Sequence, residues 1–390
     1  MKYPQLIKEV DFITIHILPY WEDEPISVDN ASEHLEKIVK QVEDEARGIA
    51  PGKPILIGES GWPSAGRQRG LAVPGVVNAA KFIRGMIQVA NHHGFDYNIV
   101  EAFNQPWKSN LEGVVGANWG LFSVNRQPVF PLTGKVSENP DWLAQFAEGT
   151  LLLLLIAGVY FKKLQAVSTL RLLIFLILTQ LLCISLVTLG HYLWYTSYSL
   201  WQRGYTVFML AANTAMGAML IQRCYQTLAG SPGEKGLARG LRSIYLLFIV
   251  LALYKTMGLT VNGRYLSFPI EQFLIPVIGI IGLCIASCLN SKRLNSQSLT
   301  LDHLSGWNLH SHRDRVVSYF LGLSIIALIA GETLAFLDGH DFIQAHPGFS
   351  EGLPVALSYT LHNLQLLSWL ACLLVLSIPF WNNSTHKRQE

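Results

Sequence analysis

Three short segments hold the residue types that sugar chemistry uses. HILPYWED (16–23), GESGWPS (58–64) and EAFNQPWK (101–108) each set a polar group beside a tryptophan. Indole faces are broad apolar platforms for a pyranose ring, and a neighbouring carboxylate can attack an anomeric carbon or move a proton at the glycosidic oxygen. Glu59 is flanked by Gly58, Ser60 and Gly61, small residues that let a ligand approach the backbone, and Trp62-Pro63 stiffens the exit. A strand-end carboxylate could equally bind a backbone amide or an arginine. Glu101 reads as a supporting group or an ion-paired carboxylate. His16, inside the apolar run ITIHIL, suits a sugar hydroxyl or a satisfied core position. Tyr20, Trp21, Trp62 and Trp107 are candidate sugar platforms, with core packing as the alternative for each, and Gln105 is a further candidate substrate contact. His92-His93 reads as a solvated helix end.

These segments need elements to hold them. VDFITIHIL (10–18), KPILIGES (53–60) and YNIVEAFN (97–104) read as strands, separated by helices predicted over 28–47 and 74–93. Strand starts recur about every 43 residues, and such alternation predicts βα units on a parallel sheet. Near-continuous apolar strands predict a sheet buried on both faces. Functional residues in such sheets gather past the carboxyl ends of the strands, where the three segments lie.

Beyond residue 142 the period changes. The 390-residue chain is only 14% charged, against about 25% for an ordinary soluble protein, and its mean hydropathy is +0.30. Apolar runs near the ~20 residues that a bilayer requires of a helix fall at 144–161, 170–190, 205–222, 243–261, 269–289, 316–337 and 358–380. That makes seven spans, or six if the first, which contains Glu148, is not one. Alternate connections collect Lys162, Lys163, Arg171, Arg223, Lys235, Arg239, Arg242, Lys292, Arg293, Arg313, Arg315, Lys387 and Arg388, whereas the opposite ones hold Arg203 and Arg264. Positive residues stay in the cytoplasm, so the C-terminus is expected there and the N-terminal domain outside. Trp194, Tyr195, Tyr198 and Trp201 read as an interfacial belt. Lys255 and Glu332 lie inside spans, where they could pair, line a polar path, or reach an interface.

Other classes find little support. Residues 1–140 carry a net −3 and residues 141–390 a net +5, without a basic patch interleaved with aromatics, so no nucleic-acid partner is expected. Cys183, Cys224, Cys284, Cys288 and Cys372 lack metal-ligand spacing and read mostly as apolar core residues, so no metal site is expected.

IGESGWPS resembles the nucleophile motif of glycoside hydrolase family 17, the β-1,3-glucanase family, and its bacterial membrane-associated members in particular. HILPYWED, EAFNQPWK, GVVGANWGLF and RQPVFPLTG extend the resemblance over residues 3 to about 142. It implies an α/β fold, the last three βα units of a (β/α)8 TIM barrel, in residues 1–142, followed by an all-α multi-pass transmembrane domain in residues 143–390. It also implies Glu59 as nucleophile at the seventh strand and no metal or organic cofactor. Asn104-Gln105 departs from the acidic residue that plant members carry there. The family's acid/base glutamate ends strand four, upstream of every segment present. Three βα units cannot close a barrel, and no export signal precedes them, so the chain is expected to be a fragment with little activity alone. The activity implied is hydrolysis or transglycosylation of β-1,3-glucan outside the cytoplasmic membrane. The partners implied are a β-glucan, the lipid bilayer, and a glucan synthase or a separately encoded N-terminal half. A non-catalytic membrane accessory for glucan synthesis or export is the alternative.

Overall fold

The computed structural model describes residues 3–291, 299–309 and 314–381. Lys292, Arg293, Arg313, Lys387 and Arg388 of the charge argument lie outside the described residues. The chain divides into two compact units. The first comprises Met1–Pro140, Asn262–Ser267 and Glu332–Gln365; the second comprises Asp141–Val261, Phe268–Gly331 and Leu366–Glu390.

The first unit begins with one turn of helix, α1 (Leu6–Glu9), and then alternates β1 (Ile13–Ile17), α2 (Val28–Arg47), β2 (Ile55–Ser60), α3 (Val76–His93) and β3 (Asp96–Ile99). The three strands are parallel in the order β1-β2-β3, as the alternation requires. The third expected strand breaks at Val100. β4 (Glu101–Phe103) follows it and pairs in parallel with β5 (Gly120–Phe122), which is reached through helix α4 (Ser109–Gly116). The segment NWGLF thus supplies a strand that its three-residue length hides from periodicity.

Helix α2 buries Ala31, Leu35, Val39 and Ala46, and α3 buries Ala79, Phe82, Ile83, Met86 and Ala90. This near-3.6-residue spacing turns one stripe of each helix inward. The stripes share a core with Ile17 and Ile57, and burying a side chain such as Phe82 contributes about 1.5–3 kcal/mol. The expectation of a sheet buried on both faces is corrected here, because Thr14 and His16 of β1 are exposed while Ile17 is buried. One face meets helices and the other is open. At the end of α3 sits His93, whose Nε2 is 2.9 Å from Glu36 of α2.

Also in the first unit are the turn of 3-10 helix at Gly263–Tyr265, the end of α11 (Asp314–Leu337), α12 (His340–Ala345) and α13 (Phe349–Leu361). The seventh apolar run was expected as one span over 358–380. It breaks instead at His362-Asn363, where Asn363 turns its amide to the carbonyl of Gln68 (3.0 Å), and α14 (Leu364–Trp381) begins anew.

The second unit holds α5 (Trp142–Leu164), α6 (Thr169–Thr196), α7 (Leu200–Ala229), α8 (Lys235–Asn262), α9 (Ile270–Ser291), α10 (Leu301–Ser305), most of α11 and nearly all of α14. Seven helices of the described chain are long and apolar enough to cross a membrane: α5 to α9, α11 and α14. Phe248, Phe273 and Trp369 form the centre of their core, with ring centroids 5.6 and 4.9 Å apart in succession. Cys183, Cys224 and Cys372 are buried there as free thiols. Glu148 of α5 meets His191 of α6 at 2.9 Å.

Glu138 sets the start of α3, its two carboxylate oxygens accepting from the amides of Val76 (2.9 Å) and Val77 (3.0 Å). Anions at a helix N-terminus satisfy orphan donors and meet the positive end of the dipole. Glu138→Ala is expected to cost about 1 kcal/mol locally, read as hydrogen exchange roughly fivefold faster in the first turn of α3; unchanged exchange there would count against the cap.

Candidate active site

Residue parity along β2 determines where its carboxylate points. Ile15 pairs with Ile57, but His16 pairs with Glu59, so Gly58 is an extra residue without a partner in β1. Side chains alternate between sheet faces, and one inserted residue reverses the alternation beyond it. Ile57 and Ser60 are therefore both buried although three apart, while Glu59 turns to the open face beside His16. Glycine is required at the bulge: a Cβ on Gly58 would run into Thr14 Cγ2 and lie 3.0 Å from His16 Nε2. The imidazole crosses the space left free, and its Nδ1 comes within 3.3 Å of Glu59 Oε2. Both side chains stay about half exposed, 55% for His16 and 47% for Glu59. Behind them Ser60 Oγ donates to the Ile17 carbonyl (2.8 Å) and ties the strand ends together.

Of the expected platforms, two belong to the core. Tyr20 and Trp62 are buried, with Tyr20 Oη donating to the Arg67 carbonyl and Trp62 Nε1 to the Val73 carbonyl (2.9 Å). Their rings pack edge to face at 5.9 Å, and burial pushes the Tyr20 hydroxyl above its usual pKa. Neither face is open to a sugar, which corrects the platform reading for both. Trp21 is half-buried, with the guanidinium carbons of Arg69 and Arg264 each 5.2 Å from its ring centre and Tyr265 at 5.6 Å. Trp107 keeps half its surface exposed, with Lys108 Nζ 5.9 Å from the ring.

Glu101 begins β4, buried, and pairs with Lys108. Burial raises its pKa, and the ammonium of Lys108 and the amide of Gln105 oppose the shift. It is thus an ion-paired supporting carboxylate. Asn104 is buried as well. Its Oδ1 accepts from the Gly120 amide (2.8 Å) and its Nδ2 donates to Asn118 Oδ1 (3.2 Å), joining the end of β4 to the start of β5. Asn118 in turn receives Ser64 N–H at its carbonyl (2.8 Å), a link from the Glu59 motif to β5 that no sequence spacing announces.

Sequence reasoning also missed Arg67, Gln68 and Arg69. Arg69 Nη1 donates to the carbonyls of Tyr20 (3.0 Å) and Glu22 (3.3 Å), and burial lowers its pKa to about 10, which leaves it charged at neutral pH. Of the two ionisable residues inside spans, Lys255 has its Nζ 4.5 Å from the Tyr205 ring centre, and Glu332 binds Arg67. Among the described residues no three His, Cys, Asp or Glu side chains converge to hold a metal ion.

Residues 1–120, which hold this carboxylate and histidine, match the family model described as the BtgE/BtgC glycoside hydrolase domain. The resemblance to glycoside hydrolase family 17 carried by IGESGWPS is thereby shown for those residues. A glucan 1,3-beta-glucosidase of Arthroderma benhamiae is 29% identical over 141 residues, covering 34% of this chain and 45% of the relative. A probable beta-glucosidase btgE of Neosartorya fischeri is 32% identical over 110 residues, covering 28% of this chain and 18% of the relative. Among solved structures, the glycoside hydrolase family 17 beta-1,3-glucanosyltransferase of Rhizomucor miehei is 31% identical over 32% of this chain and 42% of its own, with a TM-score of 0.28. The chain thus spans less than half the length of these relatives.

Gly58→Ala is expected to destabilise the first unit by about 1–3 kcal/mol through overpacking and to part His16 from Glu59. A lower urea midpoint for the protection of the Thr14–Ile17 amides checks this, and an unchanged midpoint would contradict it.

Proposed function

We propose that the first unit works on β-1,3-linked glucan as part of a retaining glycoside hydrolase or transglycosylase, with Glu59 as the nucleophile. The observation that carries the reading is the bulge-directed, half-exposed Glu59 carboxylate, with His16 Nδ1 3.3 Å from its Oε2, within the motif IGESGWPS. Glu59 attacks the anomeric carbon and the glycosidic bond breaks, leaving a glycosyl-enzyme ester and an alcohol that takes up a proton. Water or a sugar hydroxyl then attacks the same carbon, giving up a proton and releasing Glu59. His16 holds Glu59 Oε2 in line for attack, and exposed Trp107 and half-buried Trp21 flank the strand ends where glucose units would lie.

A retaining mechanism also needs a second carboxyl group about 5–5.5 Å from the nucleophile to protonate the leaving oxygen. Glu101 is buried and ion-paired with Lys108, so we assign the acid/base role to no described residue. The name of the Arthroderma benhamiae relative supports a glucan substrate. Seven long apolar helices and the one-sided distribution of Lys and Arg support a multi-pass protein of the bacterial cytoplasmic membrane with this unit on the outer side.

Incubating the membrane-embedded chain with a laminaribiosyl fluoride, whose fluoride leaves without help from an acid, tests the proposal. Glu59→Gln is expected to lower the initial release of fluoride on the order of 10³-fold or more while oligosaccharide binding persists. Equal release by both chains, or none above the uncatalysed rate from either, would overturn the reading.

A further inference from the structure

The connection from β2 to α3 is fastened to residues about 200 to 300 positions further along the chain. Arg67 pairs with Glu332, and its Nη1 donates to the Leu266 carbonyl (3.1 Å). The two side chains are only 4% and 8% exposed. Gln68 gives its backbone N–H to Gln365 Oε1 (2.8 Å), its carbonyl accepts from Asn363 Nδ2 (3.0 Å), and its own amide donates to the carbonyls of Gly70 (2.8 Å) and His362 (3.1 Å). Gln365 Nε2 donates to the Gly66 carbonyl (3.1 Å). Gly66 has φ +118, and a Cβ there would come within 2.7 Å of the Val115 backbone, so the connection is pressed onto α4 at the same point.

The loop that follows β1 is tied to the same segment. Asp23 Oδ2 accepts from the Asp341 amide (2.9 Å) and Glu24 Oε2 from the Tyr359 hydroxyl (2.7 Å). Tyr20 and Arg69 join the two loops to each other. The loops leaving His16 and Glu59 therefore take several of their polar partners from Leu266 and residues 332–365, which lie outside the matched 1–120 region.

We infer that Arg67 and Glu332 are positioning residues for Glu59, the buried ion pair fixing the β2–α3 connection so that the carboxylate keeps its aim. This rests on the proposed role of Glu59. A buried pair contributes little net stability, but removing one partner strands the other charge. The connection then relaxes to solvate it, moving the strand end that carries Glu59. Attack on an anomeric carbon tolerates such movement poorly, since a displacement near 1 Å costs about 10²-fold in rate.

The full chain in lipid nanodiscs tests this with two measurements: hydrogen exchange over residues 64–72, and covalent labelling of Glu59 by a 2-deoxy-2-fluoro laminaribiosyl fluoride. In Glu332→Gln, exchange over the connection should rise on the order of tenfold. The saturated labelling rate should fall about 10²-fold, with the half-saturating probe concentration within about threefold of wild type. Arg67→Lys, which keeps the charge, should recover part of the rate. Gln365→Ala, which leaves every charge paired, should move both readouts in the same direction and serves if Glu332→Gln does not fold. Faster exchange with an unchanged labelling rate, or unchanged exchange in both variants, overturns the inference alone. A wild-type chain left unlabelled overturns the assignment of Glu59 whatever the exchange shows.

Discussion

The pairing of β1 with β2 skips one residue, Gly58, and the direction of the Glu59 carboxylate depends on that skip. In an unbroken register Glu59 would share a face with Ile57 and point at α2 and α3, where an ionised carboxylate without a partner would be prohibitively costly. With the bulge, the same sequence buries Ile57 and Ser60 and exposes Glu59 and His16. The absent side chain of Gly58 leaves the space the imidazole occupies. One backbone irregularity thus does two things: it turns the carboxylate outward and supplies it with a neighbour.

A bulge at a strand end is useful only if the chain beyond it is held. Ser60 is bonded to Ile17, Ser64 to Asn118, Gly66 to Gln365, Arg67 to Glu332 and Gln68 to Asn363. Five residues of the exit from β2 are therefore restrained by residues remote in sequence. Buried backbone groups must find partners somewhere, and the carbonyls of Gly66 and Gln68 find theirs in Gln365 and Asn363. Leu266 and the segment 332–365 belong to the first compact unit together with the strands.

The regular elements were legible because periodicity is local. The helices at 28–47 and 76–93 and the strands around 13–17 and 55–60 follow from hydrophobic spacing and glycine stops, and the seven apolar helices from run length. The open sheet face was not legible, since ITIHIL reads as uniformly apolar until the cover on each side is known. The platforms were half legible: the sequence marks Tyr20, Trp21, Trp62 and Trp107 alike, but only packing separates the buried Tyr20 and Trp62 from the exposed Trp107. Glu332 stood out as a costly charge in an apolar run. Its partner, 265 residues away, carries no local signal.

Two carboxylates, Glu59 near the end of β2 and Glu101 at the start of β4, illustrate how environment distinguishes identical groups. Glu101 is buried, and burial alone would favour its neutral form. Lys108 and Gln105 counter this by stabilising the anion at the start of β4. Glu59 has water on one side and a single histidine on the other, and its lone pairs are not consumed by the fold. A nucleophile must keep a lone pair for an incoming carbon, whereas a structural carboxylate must surrender its own to donors. Access separates the two: Glu59 is about half exposed, whereas Glu101, paired with Lys108 through Oε1 and with Oε2 buried without a hydrogen-bond partner, is closed to an incoming group.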